Sequence, residues 1–278
     1  LGHTPFGHAG EEVLSECMIN DGGFDHNIQT LRIVTSIENK YYNFFGLNLS
    51  VETLDGLIKH NGPVKNLKYF NKILKKSLFK GKIKFNDSPS LEAQVASISD
   101  DIAYNNHDLE DGLRAELFTI DECKSLPLAS RLVKKHIKNQ KIFRKEIIIN
   151  QIIRELINFM VIDVIKNTKN NLKKYKILSS TDVHKCQNKI VGFSTKVKNL
   201  DKQMKNFLKV NMYNNKKVII NTNKGKKIVK ELFNYLLKKP KNFVNFNLLK
   251  NDTVERVVAD FLAGMTDRYA INLHKKIK

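Results

Sequence analysis

Along this chain the hydrophobic positions recur at helical spacing, with little of the strict alternation that marks a strand. From Ser90 onward Leu91, Val95, Ile98 and Ile102 fall at i, i+4, i+7 and i+11, a stripe that faces a core. Asp100 lies opposite that stripe on a helical wheel, among Ala93, Ala96 and Ala103 rather than long charged side chains. This pattern predicts a helix buried on both sides. Asp100, Tyr104 and Asp108 follow at i, i+4 and i+8, stacked along one face. Ile142 to Ile165 is a long apolar run, and Val229 to Leu237 and Val254 to Ala270 are shorter ones.

Punctuation residues bound further elements. Phe24 to Phe45 reads as one helix closed by Gly46. Ser50 is placed to cap a second helix over VETLDGLIKH, which stops at Gly62-Pro63. Lys65 to Asp87 reads as a surface excursion, and Lys216 to Asn221 (KKVIIN), inside a Lys/Asn-rich stretch, as a short strand or extended edge. The sum predicts an all-α protein with at most a short hairpin. A boundary near Asn170 divides residues 1–170 from 171–278, the latter a C-terminal helical region whose closing helix packs back on the first part.

Composition narrows the classes. No window of about 18 uncharged apolar residues exists, so a membrane-spanning helix is not expected. Cys17, Cys123 and Cys186 lack the paired spacing of a zinc site or disulfide framework, and a cytoplasmic location is the expectation. The net charge of +20 points to a polyanion such as nucleic acid. Only seven of the 48 basic residues are arginine, however, which favours solvated lysine over bidentate phosphate recognition. A basic polyanion-binding helical protein stands as a competing reading.

Three segments carry candidate chemistry. His3 and His8 lie in GHTPFGHAGEE, a tight loop entering a helix, with Glu11 one turn after His8. This reads either as an imidazole oriented by a carboxylate for acid–base work or as two ordinary loop histidines. His26, Asn27 and Gln29 follow a Gly22-Gly23 turn beside Arg32. In DDIAYNNHDLEDG the residues Glu110 and Asp111 suit a solvated face, whereas Asp100, among alanines, reads equally as a metal ligand.

The ordered segments LGHTPFGHAGE, GGFDHNIQTLRI, LDGLIKHNGP, SLEAQVASISDDIAYNNHDLEDG and VADFLAGMTDRYA together resemble the deoxyguanosine-triphosphate triphosphohydrolase-like branch of the HD-domain superfamily, over essentially the whole chain. The resemblance implies an all-α HD-domain bundle with a C-terminal helical extension. It also implies an activity that splits a deoxynucleoside triphosphate into deoxynucleoside and triphosphate, with Mg²⁺ or Mn²⁺ as cofactor. By resemblance Asp100 is the last metal ligand, Tyr104 packs on the deoxyribose and Asp108 accepts from its 3′-hydroxyl. His8 is the catalytic histidine with Glu11 orienting it, His3 and His26 are pocket histidines, and Lys59 contacts phosphate. A dNTP is the expected partner and a homo-oligomer the expected assembly. The AGMTDRYA segment receives only a packing role. In the resembled family a His-Asp dyad immediately precedes the LGH segment and another His lies upstream. Neither is in this sequence, so the expectation is an N-terminally truncated chain that does not itself hydrolyse dNTPs appreciably, or a non-catalytic remnant.

Overall fold

Short polar side chains start several helices in the computed structural model, which describes residues 1–64, 81–137, 143–243 and 252–277. The described helices are α1 (Gly7–Cys17), α2 (His26–Arg32), α3 (Val51–Ile58), α4 (Leu91–Arg114), α5 (Pro127–Ile137), α6 (Lys145–Lys174), α7 (Ser180–Lys185), α8 (Thr195–Leu208), α9 (Lys216–Lys238), α10 (Val254–Ala263) and α11 (Asp267–Ile277). Asp25 accepts from the backbone N–H groups of Asn27 and Ile28 to open α2, and Ser50 caps α3 as predicted. Ser179 and Asp182 form a reciprocal capping box at α7. Among the described residues there is no β-strand, only an isolated bridge between Asn39 and Gly46. The fold is all-α.

The chain divides into two compact units. The first comprises Leu1–Lys59, Val64–Asn86 and Ile220–Lys278. Its larger core gathers Val13 and Leu14 of α1, Val229, Leu232 and Phe233 of α9, Val258 and Leu262 of α10, and Ala270 and Leu273 of α11. A smaller core joins Leu31 and Val34 to Leu54, Ile58 and Ile83. The second unit comprises His60–Pro63 and Asp87–Ile219. There α6 buries Ile148, Ile149, Ile152, Ile153, Leu156, Met160 and Val164 against α4 and α5.

Several expectations change in detail. The boundary expected near Asn170 falls inside α6, and residues 220–278 group with residues 1–59. The helix expected over Phe24 to Phe45 ends earlier: α2 passes into a π turn over Ile33–Ile37, after which the chain loops back. The Gly46 N–H donates to the Glu38 carbonyl at 2.8 Å, and the Leu47 N–H to the Val34 carbonyl at 2.8 Å. Gly46 has a left-handed φ of 72°, and a Cβ there would meet backbone atoms of Val34 and Thr35 at 2.5 Å. Residues 65–80 of the expected excursion lie outside the described residues.

KKVIIN is not a strand but the first turns of α9. Its β-branched residues mimic a strand in isolation, but the apolar periodicity continues to Leu236 and sets the helix. On α4 the second face is not buried. The buried side is Gln94, Ile98, Ile102, Asn105, Asn106, Leu109, Gly112 and Leu113, while Ala96, Asp100 and Ala103 are exposed and Val95 is half-exposed. Alanine is favourable in a helix wherever it points, so an alanine-lined face does not by itself signal burial.

Leu156→Ala should therefore cost roughly 2–5 kcal/mol by urea denaturation, because Leu156 is wholly enclosed in the second core. Ala103→Glu should cost within about 0.5 kcal/mol. Equal losses for the two would contradict the exposed face.

Candidate active site

In the first unit, the path of residues 2–10 is set by close backbone approaches. Gly2 has φ 77°, and a Cβ there would stand 2.3 Å from the His26 carbonyl oxygen. The Thr30 hydroxyl lies 2.9 Å from the carbonyls of both Leu1 and His26, so the start of the loop is tied to α2. Thr4 and Pro5 are buried, and the Thr4 hydroxyl donates to the Gly7 carbonyl at 3.0 Å. A Cβ on Gly10 would meet the Pro5 carbonyl oxygen at 2.0 Å, which explains a glycine in the first turns of α1.

This packing brings the three predicted histidines together. The rings of His3 and His26 stack with centroids 4.4 Å apart. His8 meets both edge-on, at 5.7 Å from His3 and 5.9 Å from His26. Glu11 joins them, but the bonds it accepts come from His26: Nδ1 lies 2.9 and 3.0 Å from its two carboxylate oxygens, and the His26 backbone N–H donates to Oε1 at 2.9 Å. That bond pushes the His26 imidazolium above its ordinary value of 6.5, against the opposing effect of burial. Burial acts to raise the Glu11 carboxyl, yet the hydrogen bonds from His26 hold it below 4.5. Desolvation, with the neighbouring His26 charge, lowers His3. The cluster thus pairs a charge-holding imidazole with one that favours its neutral form.

Behind the cluster, Arg32 at the end of α2 is buried and spans both oxygens of Asp260 at 3.1 and 2.5 Å, with Asp252 at 2.9 Å. Arg256 closes the Gly22-Gly23 turn by donating to the Gly23 carbonyl at 2.8 Å and the Asp21 carbonyl at 3.3 Å. The sequence motifs contain these residues, but their pairing spans more than 200 positions and no spacing rule reveals it. Lys59 is also buried in this unit, its ammonium 2.7 Å from Asp55 one turn earlier on α3.

In the second unit, Asp100, Tyr104 and Asp108 share a side of α4 as their spacing predicts. Asp100 is largely exposed and stands 3.6 Å from His60. Asp108 accepts a hydrogen bond from the Tyr213 hydroxyl. Burial and this carboxylate raise the Tyr213 phenol well above its ordinary value. Sequence reasoning misses Tyr213 as a site residue because it stands in a π turn after α8 without a motif. A hard divalent ion needs several converging oxygen or nitrogen ligands. Among the described residues no group of three or more His, Cys, Asp and Glu could hold a metal ion. These residues alone do not fit the metal centre that the resemblance implies.

The Glu11–His26 pair has a defined pH window. His26, raised above 6.5, contributes fully below that value and loses its contribution as pH rises through its folded value. Glu11, lowered below 4.5, contributes above that value and loses its contribution as pH falls through its folded value. Glu11→Gln should lower stability by on the order of 1 kcal/mol. The Tm gap from the parent should be widest between pH 4.5 and 6.5 and narrow on either side. A gap that stays flat across this range would mean that the pair is not ionic.

Comparison with known proteins bears on what this arrangement serves. A family model described as a phosphohydrolase-associated domain matches residues 191–276, which include Tyr213, Asp252 and Asp260. A deoxyguanosinetriphosphate triphosphohydrolase-like protein of Pelagibacter ubique is 55% identical over 277 residues, which cover 100% of this chain and 74% of the relative. A protein of the same description from Bartonella quintana is 42% identical over 287 residues, with 100% and 72% covered. One from Parvibaculum lavamentivorans is 39% identical over 286 residues, again with 100% and 72% covered. With this identity along its entire length, the chain belongs to the deoxyguanosinetriphosphate triphosphohydrolase-like family of hydrolases.

Proposed function

We propose that this chain carries the phosphate-facing and acid–base part of a deoxynucleoside-triphosphate triphosphohydrolase site, with dGTP as the first substrate to test. The observation that carries the proposal is the grouping of His3, His8 and His26, whose ring centroids lie no more than 5.9 Å apart, with Glu11 bonded to His26. Hydrolysis to deoxynucleoside and triphosphate breaks the bond between the α-phosphorus and the sugar 5′-oxygen. Charge builds on the phosphoryl oxygens and the leaving oxygen needs a proton.

Each member of the group suits one of these demands. Glu11 favours the imidazolium form of His26, and the Nε2–H of that form can donate to a phosphate oxygen. His3 favours the neutral form; one of its ring nitrogens donates to the Leu1 carbonyl, which leaves the other to meet a phosphate or water in the stacked geometry. His8 is the proton donor to the departing 5′-oxygen, as the family resemblance implies. The resemblance assigns sugar-facing roles to Tyr104 and Asp108, and within the second unit the Tyr213 hydroxyl donates to the Asp108 carboxylate.

The test separates binding from turnover. Saturating dGTP at about 100 times its Kd should stabilise the protein by about 2.7 kcal/mol in a thermal-shift titration. His26→Ala should weaken that binding about tenfold through loss of a charge-assisted contact. With Mg²⁺ or Mn²⁺ the 278-residue chain should release triphosphate only slowly, because its described residues assemble no metal site. Any turnover should yield deoxynucleoside and triphosphate. Release of monophosphate or pyrophosphate, or binding that ignores His26→Ala, would overturn the assignment. Rapid triphosphate release would show that the chain completes its own ligand set.

A further inference from the structure

The His3–His8 loop contains a conformation that its own residues do not favour. Phe6, between the two histidines, has φ 63° in the left-handed region, which is uncommon for a residue with a bulky side chain. Such a backbone persists only where surrounding structure over-determines it. Two constraints on Phe6 come from the other end of the sequence, within the same unit. Its backbone N–H donates to Asp267 Oδ1 at 2.9 Å, across 261 positions. Its ring lies so close to Gly225 of α9 that a Cβ there would stand 2.7 Å from the ring carbon Cγ.

We propose that Asp267 is a positioning residue for the histidine cluster: with Gly225 it holds Phe6 left-handed and so fixes where His3 and His8 present their rings. The TDRY turn, to which the sequence assigns no more than packing, thereby gains a role at the site. This inference rests on the functional reading above.

Asp267 is suited to the task by its own setting. It is the first residue of α11, and its turn is closed by the Ala270 N–H to the Thr266 carbonyl at 2.9 Å and the Tyr269 N–H to the Thr266 hydroxyl at 3.2 Å. Ala270 and Leu273 of the same helix lie in one core with Val13 and Leu14 of α1. The carboxylate is therefore held on a helix packed with the helix that carries His8. An N–H donating to a carboxylate is also stronger than a neutral bond. Without the acceptor, Phe6 is free to return to a right-handed or extended backbone. That change swings His3, three residues earlier, and His8, two residues later, in different directions and separates the stacked His3 and His26 rings.

The experiment compares Asp267→Ala, Asp267→Asn and Gly225→Ala in the full 278-residue chain, using ring-labelled histidine NMR. In the parent, His3 and His26 should show a ring-to-ring NOE and mutual ring-current shifts. Asp267→Ala should abolish the NOE and move the His3 and His8 signals, whereas Asp267→Asn, which keeps an acceptor oxygen, should retain them. Gly225→Ala, which displaces the Phe6 ring from the opposite side, should reproduce the spectrum of Asp267→Ala. In parallel, the Kd for dGTP should rise about tenfold in Asp267→Ala and return toward the parent value in Asp267→Asn. An NOE that survives both Asp267→Ala and Gly225→Ala, or that Asp267→Asn loses as fully as Asp267→Ala does, would overturn the proposal. Absence of dGTP binding in the parent would count against the functional reading instead, and the ring signals would still decide the role of Asp267.

Discussion

The bond between Glu11 and His26 is the constraint on which the rest of the first unit depends. It joins α1, whose helical turn follows the His3–His8 loop, to the first residue of α2. The carboxylate is too enclosed to be indifferent to its partner, and an imidazole bonded to it by both the ring and the adjacent backbone N–H is fixed in place and shifted toward its charged form. Losing the pair would leave a partly buried carboxylate facing the cluster without its main donor. The stacking of His3 on His26 would lose its fixed base, and with it the three-ring geometry.

The supports of that pair come from distant sequence. Arg32 anchors the far end of α2 to Asp252 and Asp260, and Arg256 closes the turn that precedes it. Each buried charge here has an opposite charge or several carbonyls within reach, which an enclosed guanidinium requires. The C-terminal helices thus do more than complete a core: α10 supplies anchors of α2, and α11 supplies the acceptor for Phe6.

Much of this is legible in the sequence, and the rest is hidden for identifiable reasons. The Ser50 cap, the long α6 and the shared side of Asp100, Tyr104 and Asp108 follow from local chemistry and periodicity. The three histidines and Glu11 are legible too, because they stand in two short motifs. What fails is inference from one residue type. The alanines around Asp100 suggest a second buried face, and Val218, Ile219 and Ile220 suggest a strand, because neither inference weighs what packs opposite. For Glu11, sequence proximity points to His8 at i−3, and the folded chain adds a partner no spacing suggests, His26, 15 positions on, whose ring and backbone N–H donate to it. Asp260 and Asp267 stand in the VADFLAGMTDRYA motif, but nothing local reveals their partners, which lie more than 200 positions away.

The same partition of charge bears on the large positive balance. Arg32 is deep and matched, and Lys205 is bound to Asp201 and Asp101, so these cations are compensated where they stand. The acidic side chains that do this work are removed from the count available to neutralise surface lysines. The excess of +20 is therefore carried mainly by solvated lysine, whose field is diffuse and screened within about 8 Å at physiological salt. A diffuse positive field draws any polyanion toward the surface without choosing among them. Selection has to come from groups fixed in number and direction, and in the first unit the His26–Glu11 pair with its stacked and edge-on histidines has that character. If the chain takes a triphosphate as proposed, the lysines raise its local concentration, while the cluster decides whether it is held.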